Sequence, residues 1–179
     1  MQLVLTSKQS KANEILHFAF FLLVVSLTPS IKIFLPFSPV PLAMQNIVFL
    51  SYAAVYGKKR GALLAGAYIL EGILCLPVFI AANSGLALLM SPTAGYILGY
   101  VLSSYLVGLL FEKIKRNSFF LRFLSLLVGA LLIDLLGMTF LSIYLGWKTA
   151  FLLGFVPFIW GDIFKVYIAS FLLPRVRKN

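Results

Sequence analysis

Apolar residues in this chain gather into six runs, and the longer ones suffice to cross the ~30 Å hydrocarbon core of a bilayer as α-helices. The pattern predicts helices at about residues 14–30, 42–56, 62–76, 93–111, 122–145 and 150–173. Pro29, Pro36, Pro39 and Pro41 oppose continuous helix after the first run, so residues 31–41 read as a hydrophobic loop. A second apolar loop, residues 77–92, is punctuated by the turn residues Asn83, Ser84 and Gly85. Gly57 to Gly61 reads as a compact basic turn, and Gly146 to Thr149 as a turn carrying an interfacial tryptophan. Ser91 is placed to cap the fourth helix with Pro92 at its first position. Within that helix Gly95, Gly99 and Ser103 recur every four residues, a row that serves helix packing or a ligand; spacing favours packing.

Composition sharpens this picture. The chain of 179 residues is 61% apolar and has only five acidic side chains. A soluble surface is normally ~25–35% charged. The expected class is therefore an all-α integral membrane protein, one domain of six transmembrane helices. The formal net charge of +10 would suggest nucleic acid on a soluble chain. Here the positive residues lie between the apolar runs, which is the pattern of membrane orientation. Lys8, Lys11, Lys58, Lys59, Arg60, Lys113, Lys115, Arg116, Arg122, Arg175, Arg177 and Lys178 fall on one side. Only Lys32 and Lys148 fall on the other, so both termini are expected in the cytoplasm. No small-residue cleavage site follows the first run, which reads as a retained helix.

The chemistry concentrates in the last run, in Pro157-Phe158-Ile159-Trp160-Gly161-Asp162-Ile163-Phe164-Lys165. Asp162 and Lys165 share one helix face. A charge in hydrocarbon costs at least ~2.5 kcal/mol, so such residues pair, face a bundle interior or line a wet cavity. Two readings stand: an ion pair that only neutralises itself, or a polar ligand site. The same count of basic residues places both hydrophobic loops on the outer side, where they could lid this stretch. A pocket there has apolar walls from Phe34, Phe37, Phe79, Leu86, Phe158 and Trp160. Its polar points come from Gln45, Asn83, Tyr96, Asp162 and Lys165. A carboxylate only accepts hydrogen bonds and an ammonium only donates, so the ligand needs N–H donors and a carbonyl or carboxylate acceptor. Glu71 and Asp134 are further acids within apolar runs; a role in proton coupling or neutral hydrogen bonding is open to them.

Several classes are excluded or weakened. No Gly-Lys-Ser/Thr phosphate loop is present, so the chain is not expected to hydrolyse nucleotide. No Ser-His or Cys-His pair marks a nucleophile, and no catalytic residue is expected. His17 and Cys75 each stand alone, so neither a metal site nor a resident cofactor is expected, and Cys75 reads as packing. A membrane enzyme acting on lipid or an isoprenoid would need an Asp-rich metal motif that is not visible. A subunit with a purely structural role in an assembly remains a further alternative.

Four motifs carry a resemblance. They are Pro39-Val40-Pro41-Leu42-Ala43-Met44-Gln45, then Gly61-Ala62 with Leu76-Pro77-Val78-Phe79, then Ser91-Pro92-Thr93-Ala94-Gly95-Tyr96, and last the Pro157 to Lys165 stretch. Taken in order they resemble the BioY-type biotin-binding S-components of energy-coupling-factor transporters, from about residue 36 to 170. The resemblance implies a six-helix subunit of the bacterial plasma membrane that captures biotin from outside. It also implies a transmembrane coupling protein and two cytoplasmic ATPases as partners. An S-component for another vitamin or heterocycle is the alternative. The family's last-helix Asp and Lys fall on Asp162 and Lys165, and its loop Asn falls nearest Asn83. The family usually has Thr where Ala43 stands and a glycine-richer loop where residues 81–85 stand. An arginine the family places near the fourth helix has no counterpart, which shifts the ligand carboxylate towards Lys165. Small residues that S-components use on helix 1 against the coupling protein reduce here to Ala19, Ser26 and Ser30.

Overall fold

The structure is a computed structural model that describes residues 7–28, 44–74, 90–114 and 118–173. It is all-helical, with no strand among the described residues. The helices are α1 (Ser7–Leu27), α2 (Gln45–Tyr56), α3 (Lys58–Ile73), α4 (Ala94–Lys113), α5 (Phe119–Leu145), α6 (Trp147–Gly154) and α7 (Val156–Leu172). By length and composition three segments can cross a membrane: Ala94–Lys113, Phe119–Leu145 and Trp147–Leu172. The proline-rich loop at 31–41, the loop from Cys75 to residue 89, and with them Asn83, Phe34, Phe37, Phe79 and Leu86, lie outside the described residues.

Several boundaries move from expectation. The basic cluster is no turn: Lys58, Lys59 and Arg60 form the first turn of α3, and Gly57 alone makes the break. Its φ of +91° lies where L side chains rarely go, which is why one glycine suffices. Gly146, with φ +76°, does the same between α5 and α6, and Trp147 already belongs to α6. The fourth helix starts at Ala94; Ser91 Oγ lies 2.9 Å from Thr93 Oγ1 in a turn ahead of it and makes no side-chain cap. Glu71 sits in the last turn of α3. There it accepts a hydrogen bond from Ser26 Oγ of α1.

The largest change is in the last run, which is two helices. Pro157 has no N–H to give the carbonyl four residues back, and its ring crowds that carbonyl. The chain bends at Phe155 (φ −123°, ψ −56°) and restarts as α7. Phe158 N bonds to Phe155 O at 3.1 Å in place of Gly154 O. Tyr96 Oη of α4 takes up that freed carbonyl at 2.6 Å.

α4 is the central element, packed on α5, α3 and α2. Its small-residue row is a packing face. A Cβ on Gly95 would come within 2.4 Å of Leu136 O, and one on Gly99 within 3.1 Å of Ile133 Cα, both on α5. α5 answers with Gly137, where a Cβ would lie 2.2 Å from the Tyr96 ring. Close backbone approach of this kind is how helices associate where lipid removes the hydrophobic drive. At the far end Arg122, counted in the sequence among the basic residues of the cytoplasmic side, is buried. Its Nη1 donates to Leu173 O at 2.8 Å, satisfying a carbonyl at the end of α7, where a cation also suits the helix dipole.

Candidate functional site

Asp162 lies on α7, about two turns beyond the break, and is only 1% exposed. Its Oδ1 accepts from Lys165 Nζ at 3.0 Å and from Asn46 Nδ2 at 2.8 Å. Lys165 sits one turn further along the same face, as the three-residue spacing requires. Asn46 comes from the first turn of α2. There its Oδ1 accepts the N–H of Ile47 at 2.8 Å, one of the helix-start donors without an intrahelical partner. That bond turns the carboxamide so that its NH2 points at Asp162. The start of α2, the positive end of its dipole, thus faces the carboxylate.

Asp162 Oδ2 is buried and has no hydrogen-bond partner among the described residues. The same holds for Oδ2 of Asp134, a residue of α5 that is 2% exposed. α5 packs against α7, and the Asp162 carboxylate is paired with Lys165. An unpartnered buried acceptor costs ~1–3 kcal/mol. Nearby, the buried phenols of Tyr96 and Tyr100 lie in the field of Asp134, and Tyr100 also in that of Asp162. Tyr100 stacks on Phe49 with ring centroids 4.8 Å apart.

The other expected polar points have structural partners. Gln45 Nε2 donates to Val25 O at 2.8 Å and to Tyr68 Oη at 2.7 Å, tying α2 to α1 and α3. Tyr96 braces the helix break. Phe158 is buried with its ring 5.9 Å from that of Tyr96. Trp160, expected in the pocket wall, is 75% exposed on the opposite face of α7 from the buried carboxylate. The sequence therefore brings Asp162 and Lys165 together correctly. Asn46 joins them, and Asp134 lies buried on α5, which packs against α7; neither was among the expected polar points. Their signal was present: Asn46 is one of two strong polar groups at the start of α2, and Asp134 is an acid in mid-run. No group of three or more metal-ligating side chains occurs among the described residues.

A donor set of one ammonium and one carboxamide, with a carboxylate oxygen left over, suits a small polar ligand that donates and accepts hydrogen bonds. The ion pair of the bland reading exists, but it does not use up the carboxylate.

Comparison with known proteins points one way. The profile of the BioY family matches residues 5–179. The biotin transporter BioY of Thermotoga maritima is 39% identical over 146 residues, covering 80% of this chain and 85% of that one. A probable biotin transporter BioY of Pyrococcus horikoshii is 33% identical over 169 residues, covering 94% and 99%. Among solved structures, the S-component for biotin from an ECF-type ABC transporter superposes with a TM-score of 0.86. It is 25% identical, and the match covers 98% of this chain and 96% of that one. These matches run nearly end to end, through the same helices that hold Asp162, Lys165 and Asn46; the chain belongs to the BioY family.

Proposed function

We propose that this chain is the biotin-binding S-component of an energy-coupling-factor transporter, a transport subunit and not an enzyme. The observation that carries the reading is the buried Asp162, held on Oδ1 by Lys165 and Asn46 while Oδ2 keeps acceptor capacity. Biotin's ureido ring has two N–H donors and a carbonyl, and its tail ends in a carboxylate, so it offers groups to both Asp162 and Lys165. Full-length similarity to proteins named biotin transporters supports the same ligand. Biotin is cargo here, and no resident cofactor is required.

In this reading the chain spans the plasma membrane six times, with α6 and α7 together forming the last span. Both termini and the Lys58–Arg60 turn of helix face the cytoplasm, in line with the distribution of basic residues. Biotin arrives from the outer side. A coupling protein and two ATPases supply the energy, since the sequence has no phosphate-binding loop.

The test is purification in mild detergent, identification of any co-purified small molecule, and titration with biotin. Saturable biotin binding, with no accumulation in vesicles holding the subunit alone, is expected. Preferential capture of a different vitamin, or uphill uptake without an ATPase, would overturn the proposal.

A further inference from the structure

The two oxygens of Asp162 are held unequally. Oδ1 accepts from Lys165 Nζ at 3.0 Å and from Asn46 Nδ2 at 2.8 Å, while Oδ2 is buried with no partner among the described residues. A carboxylate oxygen has two lone pairs, so two donors fill Oδ1. Lys165 supplies one of them from the same helix, on a flexible stem. The other comes from α2, on a short stem whose carboxamide is itself tied: Asn46 Oδ1 accepts the N–H of Ile47 at 2.8 Å. The turn that carries Asn46 is gripped from two sides as well. Gln45 Nε2 donates to Val25 O of α1 at 2.8 Å and to Tyr68 Oη of α3 at 2.7 Å.

Resting on the biotin reading, we propose that Asn46 is a positioning residue for the ligand site: its carboxamide fills Oδ1 of Asp162 and leaves Oδ2 as the oxygen that accepts an N–H from the ligand. The sense of the carboxamide follows from its own partners. Its oxygen is committed to a backbone N–H, so the NH2 faces Asp162, and a donor there meets an acceptor. Without Asn46, Oδ1 regains a lone pair and the carboxylate turns under the hold of Lys165 alone. An incoming N–H then meets either oxygen and has to order the group as it binds, which costs affinity. A residue that served only the start of α2 would behave differently. Aspartate in its place still accepts the N–H of Ile47 and suits the positive end of the helix dipole, so that role survives the change. The bond to Asp162 does not survive it, because a carboxylate has no donor to give.

Biotin titrations on the full chain in detergent, with thermal unfolding beside them, compare Asn46→Ala and Asn46→Asp, each in the wild-type background and together with Asp162→Asn. Both single variants are expected to bind biotin at least about tenfold more weakly than wild type. Each should cost less than about threefold once Asp162→Asn is present, because Asn46 acts through that carboxylate. Should Asn46→Ala fail to fold, Asn46→Asp, which keeps the bond at the start of α2, gives the same comparison. Near wild-type affinity in Asn46→Asp, or an equal loss in both backgrounds, would overturn the proposal. If wild type binds no biotin, the proposed function fails, and infrared spectroscopy still tests the positioning. Subtracting the spectrum of Asp162→Asn isolates the Asp162 carboxylate, whose antisymmetric and symmetric stretches are set apart by unequal hydrogen bonding of its oxygens. A separation that narrows in Asn46→Ala supports the role; an unchanged separation overturns it.

Discussion

Two ion pairs in this chain have the same chemistry and different surroundings. Lys58 Nζ and Glu112 Oε2 lie 2.9 Å apart where their side chains are 27% and 44% exposed. Lys165 Nζ and Asp162 Oδ1 lie 3.0 Å apart where the figures are 10% and 2%. The distances are alike, so distance does not separate them. The first pair joins the start of α3 to the end of α4, beside a second exposed pair between Arg60 and Glu14 at 2.8 Å. Water and salt screen both, and little depends on either. The second pair is buried and recruits Asn46. A buried charge left without its partner is expensive, whereas an exposed one is simply hydrated.

Removing one member of the buried pair should therefore have the largest effect. Asp162→Asn is expected to weaken biotin by ~1.5–3 kcal/mol, the scale of a hydrogen bond to a charged group. Lys165→Met should do the same. Joining the two changes discriminates the readings of the pair. If Asp162 and Lys165 only neutralise each other, the double variant recovers binding, because no buried charge is left alone. If each meets the ligand, the double variant stays weak while its thermal unfolding recovers. Equilibrium titration beside a melting curve gives both numbers.

A middling effect is expected at the helix break. Tyr96→Phe deletes the hydroxyl that reaches Gly154 O and nothing else. Stability should drop by about 1 kcal/mol, the net worth of such a bond, or somewhat more for the carbonyl left behind. The smallest effect belongs to the exposed pair. Glu112→Gln should leave biotin affinity unchanged, and any shift in its melting midpoint should shrink further in high salt. A clear loss of affinity there would erase the contrast between the two pairs.

What the sequence reveals follows from how far each signal depends on tertiary contact. Apolar runs report local hydrophobicity, and each described helix overlaps one of them, though the last run holds two. Asp162 and Lys165 stand out because a charge in an apolar run is costly wherever it ends up. The break at Phe155 had its cause in view, Pro157, yet a proline in an apolar run is also compatible with a kinked continuous helix. Tyr96, on another helix, stabilises the broken form. Hydrogen-bond partners were the least legible. Gln45 and Asn46 are adjacent amides in one helical turn, about 100° apart around the axis. One ties α1 and α3 together and the other reaches Asp162, and nothing local distinguishes them. Trp160 reads as a pocket wall by its place in the motif, but helical geometry turns it away from Asp162.

The contact of α4 with α5 has a consequence for how the chain is built. Gly95 and Gly99 admit the backbone of α5, while Gly137 admits the ring of Tyr96 and Gly129 the side chain of Val107. Gaps and bulky groups alternate along both helices and fit each other in one alignment. A slip of one turn, ~5.4 Å, would drive Tyr96 against a residue with a side chain and leave the gap at Gly137 empty. The two helices follow one another in sequence with a short connection, residues 114–118. As they leave the ribosome in succession they form a hairpin with a built-in index mark. The depth of one in the membrane sets the depth of the other before α7 arrives. α7, which carries Asp162, then packs against α5 at a height already fixed.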